Sequence, residues 1–487
     1  MKNIKAISLA ALVFMLASCS DWLNVKPIDQ VLEDEAFESE RTINHALNGL
    51  YMKMADEKLY GKNLTFYVPE LLGQRYNTHG GVELFTTPDA DRWFYTVFSF
   101  GHDKIKGTTA SLFAKGYNLI LDINFFIRKM EKTGGVVSEA HKNLLLGEAY
   151  ALRAYMHLDL LRLFGPINKD KPEAPAVPYY TQPTNDWQDI LSSEKVIELI
   201  LKDIDHALTL LANDPVLVKG VATGDDSDDS LPGFFYEDYR NRRLNFYAVQ
   251  ALKVRTLMYQ GDTGAGGALA KNLIENPAFE ETFPWAIEKE VFTTDGKNDK
   301  AFSREVLFGI HVPVLYEQWN NWFSTGISSV HNIMGTARAN VHYMFNTTIM
   351  TQATDWRARQ WVEYPDPTYL LTMKFQKTSA ETDFWYFQPL IRKSELYLAA
   401  AEVYGDAGYV NEIRSHRGLK TLEEELGSYD LQVQIEKEYM KDFVSEGQLF
   451  YYYKRRGQTK IQGRTGTQIT LTESNFTLPL PQKEQDR

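Results

Sequence analysis

Helical periodicity in paired segments is the feature that most constrains the fold of this chain. Apolar residues recur at steps of three and four over 112–130 and 139–163, and Gly165-Pro166 ends the second run. Three further pairs follow, at 194–211 with 244–260, at 390–404 with 410–416, and at 429–443 with 448–456. Helix hairpins of this size are typical of tetratricopeptide-like units. The sequence therefore predicts a mainly α protein in which helix hairpins form a scaffold.

Two long segments interrupt the helical pattern. Residues 60–106 are rich in glycine, threonine and aromatic residues, and residues 276–388 are rich in tryptophan, tyrosine, proline and threonine. We expect loops, short strands and short helices there, packed on the scaffold. Binding residues concentrate on irregular segments that a rigid scaffold positions. These segments are therefore the predicted ligand-binding subregion.

The N-terminus has the layout of a secretory signal. Lys2 and Lys5 precede an apolar run at 6–17, which is shorter than the roughly 20 residues that span a bilayer as a helix. Cys19, the one cysteine of the chain, directly follows Leu16-Ala17-Ser18. This string resembles the lipobox of bacterial lipoproteins and implies cleavage before Cys19 and acylation of that residue. The alternative is an ordinary signal peptide with an accidental cysteine.

Charge and missing motifs exclude several function classes. The formal net charge is −12, and an acidic surface argues against nucleic acid as a partner. With Cys19 acylated, neither a disulfide nor a cysteine-based metal site is expected. The sequence contains no His-Glu-x-x-His, no Gly-x-Ser-x-Gly and no P-loop. We therefore expect no cofactor, no metal site and no catalytic residue.

Two charged features have plain structural interpretations. The acidic residues at 225–229, in the polar loop 220–230, fail the EF-hand pattern because the glycine of position six is missing. A solvated loop is favoured, and a weaker calcium site with oxygen ligands stays open.

Asp355 and Arg357 are expected to pair and hold a loop. Arg392 and Glu395, one turn apart, are expected to pair along their helix.

Three ordered segments together resemble the SusD/RagB family of outer-membrane lipoproteins of Bacteroidetes. They are Asp21-Trp22-Leu23-Asn24, the run 147–155 that leads to Leu163-Phe164-Gly165-Pro166, and the run 391–402 followed by 411–419. The end of the chain, Leu478-Pro479-Leu480-Pro481-Gln482-Lys483-Glu484, is similar to the terminal motif of the family. The resemblance covers nearly the whole chain after the signal segment.

The resemblance implies an organisation and a function. It implies a lipoprotein signal peptide at 1–18, a lipidated tether at 19–35 and one SusD-like domain at 36–487, with an N-terminal part at 36–275 and a C-terminal part at 276–487. Such a protein is anchored in the outer membrane and faces the cell surface. It captures oligosaccharides and delivers them, as a lid, to a TonB-dependent SusC-like transporter. The helices are implied to face the transporter and the irregular segments the ligand.

Aromatic and polar residues of the two irregular segments are the predicted ligand-binding residues. Tryptophan and tyrosine rings stack on the apolar face of a sugar, while asparagine and arginine hydrogen-bond its hydroxyl rim. If the stretch around Asn320 is helical, Trp319 and Trp322 share one face. The alternative is that these rings pack the segment onto the scaffold. The predicted set is Arg75, Asn77, Trp93, Tyr95, Trp319, Asn320 and Trp322.

Three other functions are compatible with the sequence. A peptide ligand would suit the same aromatic and polar residues. A lipid-anchored glycoside hydrolase would use two carboxylates, such as Glu70 and Asp91, about 5–5.5 Å apart in a retaining enzyme or about 6.5–9.5 Å apart in an inverting one. A pure protein-binding scaffold would need no aromatic-lined concavity outside the helix pairs.

Overall fold

The computed structural model describes most of the chain beyond the predicted tether. The described ranges are 36–77, 91–221, 238–293, 298–327, 333–347, 354–364, 368–377 and 383–486. The predicted signal peptide, Cys19 and the acidic residues 225–229 lie outside the described residues. Across these ranges, no helix combines the length and the apolar character that a membrane span requires.

The N-terminal half is built of antiparallel helices, as the periodicity predicts. A π-helix at Asn63–Tyr67 immediately precedes the helix that begins at Val68. The helices are α1 (Glu40–Met54), α2 (Val68–Leu72), α3 (Asp91–Thr96), α4 (Asp103–Lys132), α5 (Glu139–Phe164), α6 (Ser193–Leu210), α7 (Val216–Lys219), α8 (Phe246–Gln260) and α9 (Thr263–Ile274).

Helix α5 lies at the centre of this half, between α4 and α6. Ser138 caps its first turn by accepting a hydrogen bond from the His141 amide at 3.2 Å. Buried side chains cover nearly its whole circumference, which is the pattern of a helix enclosed by others. Gly147 permits a close approach, because a Cβ there would lie 2.6 Å from the Leu211 side chain. A glycine at this position therefore lets α5 pack directly against the end of α6.

Helix α9 is one element that the periodicity does not predict. Asp262 caps it by accepting a hydrogen bond from the Ala265 amide at 3.1 Å. A Cβ on Gly267 would lie 2.6 Å from the Val403 side chain, so the glycine allows α9 to approach the helix that carries Val403. Glycines lower helix propensity in isolation, and only the tertiary contact explains why they stand in this helix.

The C-terminal half combines short helices with short strands. Its helices are α10 (Pro277–Thr282), α11 (Glu288–Val291), α12 (Leu315–Phe323), α13 (Arg338–Phe345), α14 (Lys393–Tyr404), α15 (Gly408–Ser415), α16 (Leu422–Leu426), α17 (Leu431–Asp442), α18 (Gln448–Arg456) and α19 (Gln482–Gln485). The pairs α14–α15 and α17–α18 are the last two predicted hairpins. The two helices of each pair contact each other.

All strand pairs of the described residues are antiparallel. They are β1 (Pro175–Pro178) with β2 (Ile190–Ser192), β3 (Val306–His311) with β7 (Phe387–Arg392), β6 (Tyr369–Thr372) with both β4 (Thr336–Ala337) and β5 (Trp361–Glu363), and β8 (Lys460–Gln462) with β9 (Gln468–Thr470). The predicted fold class is confirmed: the protein is mainly α, and an irregular subregion with short strands packs on helix hairpins.

A buried network of ion pairs joins the second irregular segment to α17 and to the turn that precedes α18. The Arg417 guanidinium lies 2.6 Å from Glu305 and 3.2 Å from Asp442. The buried members of the network are Glu305, Asp355, Arg357, Lys374, Arg392, Arg417, Glu438, Lys441, Asp442 and Glu446. The set holds equal numbers of opposite charges. Burial would raise the pKa of Asp442, but Arg417 and Arg357 outweigh burial and hold that pKa well below its ordinary value.

The two ion pairs expected from the sequence have different outcomes. Asp355 and Arg357 do pair, with Nη2–Oδ2 at 2.8 Å, and this prediction is confirmed. The predicted pair of Arg392 with Glu395 is wrong. Arg392 is the last residue of β7 and bonds the buried Glu446, whereas Glu395 accepts from Arg255 of α8 at 2.6 Å. The strand, not a helix turn, sets the direction of Arg392.

Candidate functional site

The two irregular segments meet along α12, where their aromatic rings interlock. Tyr67 and Trp322 pack edge to face with centroids 5.9 Å apart, and Phe66 packs on Phe323 at 5.7 Å. Tyr76 also contacts Phe323, with centroids 5.3 Å apart. Segments far apart in sequence therefore form one body, and this interface gathers the predicted residues into one region.

Asn77 joins the same two segments through polar contacts. Its backbone N–H donates to the Gly335 carbonyl at 2.8 Å. Its side-chain amide donates to the Tyr369 hydroxyl at 3.2 Å. Asn77 is half-buried, so its amide oxygen is one polar group of the predicted set that remains near the surface.

Trp319 and Trp322 lie on one face of α12, as predicted, but that face is turned to the interior. Both rings are buried. The Trp319 indole N–H donates to the Thr372 carbonyl at 2.8 Å, and that of Trp322 donates to Gln318 at 3.1 Å. Rings that are buried and hydrogen-bonded within the protein are not available to stack on a ligand. Their role as stacking residues is therefore corrected to a packing role, whereas Asn320 is exposed.

The first segment shows the same division between interior and surface. Tyr95 is fully buried, and its hydroxyl lies 3.1 Å from the Thr109 hydroxyl. Trp93 is half-buried, and the Arg464 guanidinium lies 4.8 Å from its ring centroid. Arg464 belongs to the β8–β9 hairpin and is missed by the sequence analysis. Tyr95 is therefore a core residue, and Trp93 remains near the surface.

Arg75 is also an interior residue rather than a surface ligand contact. Its Nε donates to Glu70 at 3.0 Å. The other Glu70 oxygen accepts from the Gly447 amide at 2.9 Å. Arg75 and Glu70 thereby hold α2 against the start of α18. Because Arg75 is buried, as Tyr95 is, its predicted contact with a ligand is corrected to a structural role.

The two carboxylates of the hydrolase alternative are both buried. Burial raises the pKa of Glu70, and the nearby Arg75 opposes that rise. Asp91 accepts hydrogen bonds from the hydroxyls of Tyr67 and Thr108, each at 2.7 Å. A glycosidase needs its carboxylates on the two sides of a cleft that admits a sugar. Glu70 and Asp91 occupy the interior, so this pair lends no support to hydrolysis.

A half-buried aromatic group on and beside α12 is a candidate contact surface outside the predicted set of ligand-binding residues. The Lys377 ammonium lies 4.2 Å from the Tyr316 ring centroid and 4.8 Å from that of Trp385. Trp385 and Tyr386 pack edge to face at 6.4 Å. We call Tyr316, Lys377, Trp385 and Tyr386 the aromatic platform. The aromatic run 384–387 is the signal in the sequence that could have indicated it.

The platform continues onto the exposed side of α12. Asn320 follows Tyr316 by four positions, so the two side chains are neighbours on the helix surface. Lys377 is exposed, and the rings of Tyr316 and Trp385 are half-buried. The platform therefore combines aromatic surface with an amide and an ammonium group.

In the described part of the chain, no three His, Cys, Asp or Glu side chains converge as a metal site would require.

One family model matches the chain, over residues 21–223. It is the SusD-like family described as "Starch-binding associating with outer membrane". No curated protein sequence matches the chain at a significant level. The matched region runs from the predicted tether to the end of the helices around α5 and α6.

Several solved structures share the fold. A SusD superfamily protein of Bacteroides thetaiotaomicron is 21% identical, with a TM-score of 0.68 over 91% of this chain and 97% of its own. A SusD-like carbohydrate binding protein of Bacteroides vulgatus is 16% identical, with a TM-score of 0.67 over 92% and 96%. Surface glycan-binding protein A of Bacteroides uniformis is 17% identical, with a TM-score of 0.64 over 92% and 98%. The SusD-like family model thus accounts for residues 21–223, and the fold shared with these solved structures extends along nearly the whole chain.

Proposed function

We propose that this protein is a cell-surface lipoprotein that binds oligosaccharides and passes them to a TonB-dependent SusC-like transporter of the outer membrane. The aromatic platform with Asn320 is the proposed contact surface, and Asn77 and Trp93 lie on the other side of the interface between the irregular segments. The observation that carries the proposal is this aromatic and amide surface, in a chain that matches a family described as starch-binding.

The chemistry of the platform suits a sugar. A pyranose ring presents an apolar face of C–H groups, on which Tyr316 and Trp385 can stack. The Asn320 amide both donates and accepts hydrogen bonds, and the Lys377 ammonium donates, so both can bind hydroxyl groups. Stacking also removes apolar surface of the ring and of the sugar from water, which contributes roughly 25 cal/mol per Å².

Isothermal titration calorimetry of the purified soluble domain tests the ligand class. The probes are neutral oligosaccharides, with maltoheptaose first, and peptides of comparable size. We expect a sugar to bind the wild type at the platform and to bind that site at least tenfold more weakly in Trp385→Ala. Tyr404→Ala, which removes an exposed ring at the end of α14, is the matched control and should bind normally. Binding of peptides but no sugar would replace this proposal by the peptide-binding alternative.

Anchoring and transporter docking are parts of the same proposal. Several acyl chains on Cys19 would hold the protein stably, because each buried methylene adds about 0.8 kcal/mol. Cys19→Ala should move the protein from the membrane fraction to the soluble fraction and leave oligosaccharide binding unchanged. A membrane-bound Cys19→Ala variant would contradict the anchor.

Purification of the wild type from detergent extracts without any barrel protein would contradict the transporter partnership.

A further inference from the structure

A large groove lies on the helical scaffold, apart from the aromatic platform. It has a volume of about 1020 Å³. Its walls come from the N-terminal half of α4, from the loop after β1 and from the end of the chain, within 100–118, 178–187 and 474–485. None of the residues predicted from the sequence to bind ligand lines it. The groove stands at the top of the roughly 300–1,000 Å³ range of ligand pockets, so it has room for several linked rings.

The floor of the groove is a bare surface of α4. Ile105 and Phe113 form the base and are themselves packed into the core. Gly107, Ala110 and Ala114 also face the groove, and they carry little or no side chain. A Cβ added at Gly107 would meet no atom within 4 Å. This part of the floor carries only small side chains between two buried apolar residues, so a planar face can lie against it.

Trp187 stands at the edge of this groove and is 61% exposed. It is the most exposed of the tryptophans in the part of the chain that the structure describes. Burying a large aromatic ring stabilises a protein, so a ring left in water beside a groove indicates a contact surface. Trp187 is outside the predicted set, because nothing in its local sequence separates it from a core tryptophan.

The loop that carries Trp187 is held in place. The Gln188 amide donates to the Tyr180 hydroxyl at 3.3 Å. The Tyr180 ring packs edge to face on Tyr117 of α4 at 5.4 Å, and the Tyr117 hydroxyl donates to the Pro178 carbonyl at 2.9 Å. Tyr117, Tyr180 and Trp187 all line the groove. Their aromatic surfaces are therefore positioned by the fold before any ligand binds, which lowers the entropic cost of binding.

The polar groups of the groove indicate an uncharged ligand. Its charged lining residues are Lys106, Lys483 and Glu484, so the groove is nearly neutral in a protein of net charge −12. Side-chain amides of Asn118 and Asn185 also belong to the lining. Amides that donate and accept, next to exposed aromatic rings, are the groups that bind hydroxyl-rich rings. An anionic ligand would require a clear excess of cations.

We infer that this groove is a second carbohydrate site, which binds a neutral oligosaccharide across Trp187 and the floor of α4. The ligand class rests on the proposed function, whereas the position of the site does not. An oligosaccharide long enough to reach both sites would bind with a higher apparent affinity than either site gives alone. The groove thus extends the proposed function from one contact surface to two.

Calorimetry with maltoheptaose, cellohexaose and xylohexaose tests this inference on the soluble protein. We expect wild type to bind two oligosaccharides per chain. Trp187→Ala should weaken the groove site at least tenfold and leave the other site unchanged. Ala114→Arg should have the same effect, because the long side chain would fill the groove. Position 114 of α4 is exposed and arginine is a good helix former, so the helix should be retained. Tyr404→Ala is the matched control and should bind two. Thermal unfolding of each variant checks that the fold is retained.

The outcomes separate this inference from the proposed function. One site that is lost in Trp385→Ala and retained in both groove variants would overturn the groove site alone. Two sites in wild type, of which Trp385→Ala retains only the groove site, would support the groove inference. A peptide that binds in the groove and is displaced by none of the three sugars would overturn it in favour of protein docking. Absence of sugar binding by wild type would overturn both proposals.

Discussion

Tyr67 and Trp322 pack edge to face with ring centroids 5.9 Å apart, and this contact joins the two irregular segments of the protein. The Arg92 guanidinium lies 5.1 Å from the same Trp322 ring, and the Tyr67 hydroxyl donates to Asp91. Both ends of the contact are thereby held by neighbours in the first segment. Trp322 is a structural centre of the subregion, and the surface around it depends on its packing.

Replacement of this ring tests its packing role. Trp322→Ala should lower the free energy of unfolding by about 3–5 kcal/mol, because a large buried side chain is removed and a cavity remains. Urea denaturation followed by circular dichroism measures the loss. Asn320→Ala, on the exposed side of the same helix, should change stability by less than about 0.5 kcal/mol. A Trp322→Ala variant that keeps wild-type stability and loses only sugar binding would restore Trp322 as a ligand contact.

Arg417 tests the buried ion network. Arg417→Met leaves Glu305 in the interior without its paired cation and removes one of the two arginines that pair with Asp442. It should destabilise the protein by about 3–5 kcal/mol. Arg304→Met removes a surface ion pair with Glu290, whose atoms lie 2.8 Å apart. That variant should cost no more than about 1 kcal/mol, because exposed pairs are screened by water. Equal losses of unfolding free energy in the two variants would show that burial does not set the strength of these pairs.

Gly418 tests a close backbone contact. Its φ is +76°, and a Cβ there would lie 2.4 Å from the Trp356 indole nitrogen and 2.9 Å from the Thr354 carbonyl oxygen. Gly418→Ala adds this clash to the roughly 1–2 kcal/mol cost of a left-handed conformation. Gly405→Ala has a similar φ of +63° and an open surrounding, so it carries only the conformational cost. Thermal denaturation should rank Gly418→Ala clearly below Gly405→Ala, and the reverse order would contradict this account.

Asp299 makes stability depend on pH in a mildly acidic window. Burial raises its pKa to about 6, although Ser303 and the Ala301 amide donate hydrogen bonds to it. Between about pH 4 and 6 the folded protein keeps a proton that the unfolded chain has released. The free energy of unfolding should therefore fall by up to about 3 kcal/mol as pH rises through this window.

The variant Asp299→Asn isolates this contribution. Urea denaturation at a series of pH values should show a flatter profile between about pH 4 and 6 than the wild type shows. The exposed Asp205 of α6, paired with Lys253 at 2.6 Å, supplies the control variant Asp205→Asn. That variant should keep the wild-type slope. An unchanged slope in Asp299→Asn would mean that other carboxyl groups cause the pH dependence.

Helix α9 and Trp187 show two limits of prediction from this sequence. The glycines of α9 lower its intrinsic propensity, and the helix forms because Gly267 permits close contact with Val403. Trp187 and Trp319 are both aromatic residues in polar surroundings of the sequence, yet one is exposed and the other buried. Local sequence carries no information on which neighbours arrive from elsewhere in the chain.

The sequence by itself determined the helix hairpins, the irregular subregion and the pairing of Asp355 with Arg357. These depend on periodicity, capping and short-range charge, which act over a few residues. Only the tertiary structure decided which aromatic rings face solvent. Trp319 and Trp322 share a helix face, but the other irregular segment covers that face and leaves Asn320 outside. The physical reason is that burial is a property of the assembled layers, whereas a sequence pattern specifies a face without saying what covers it.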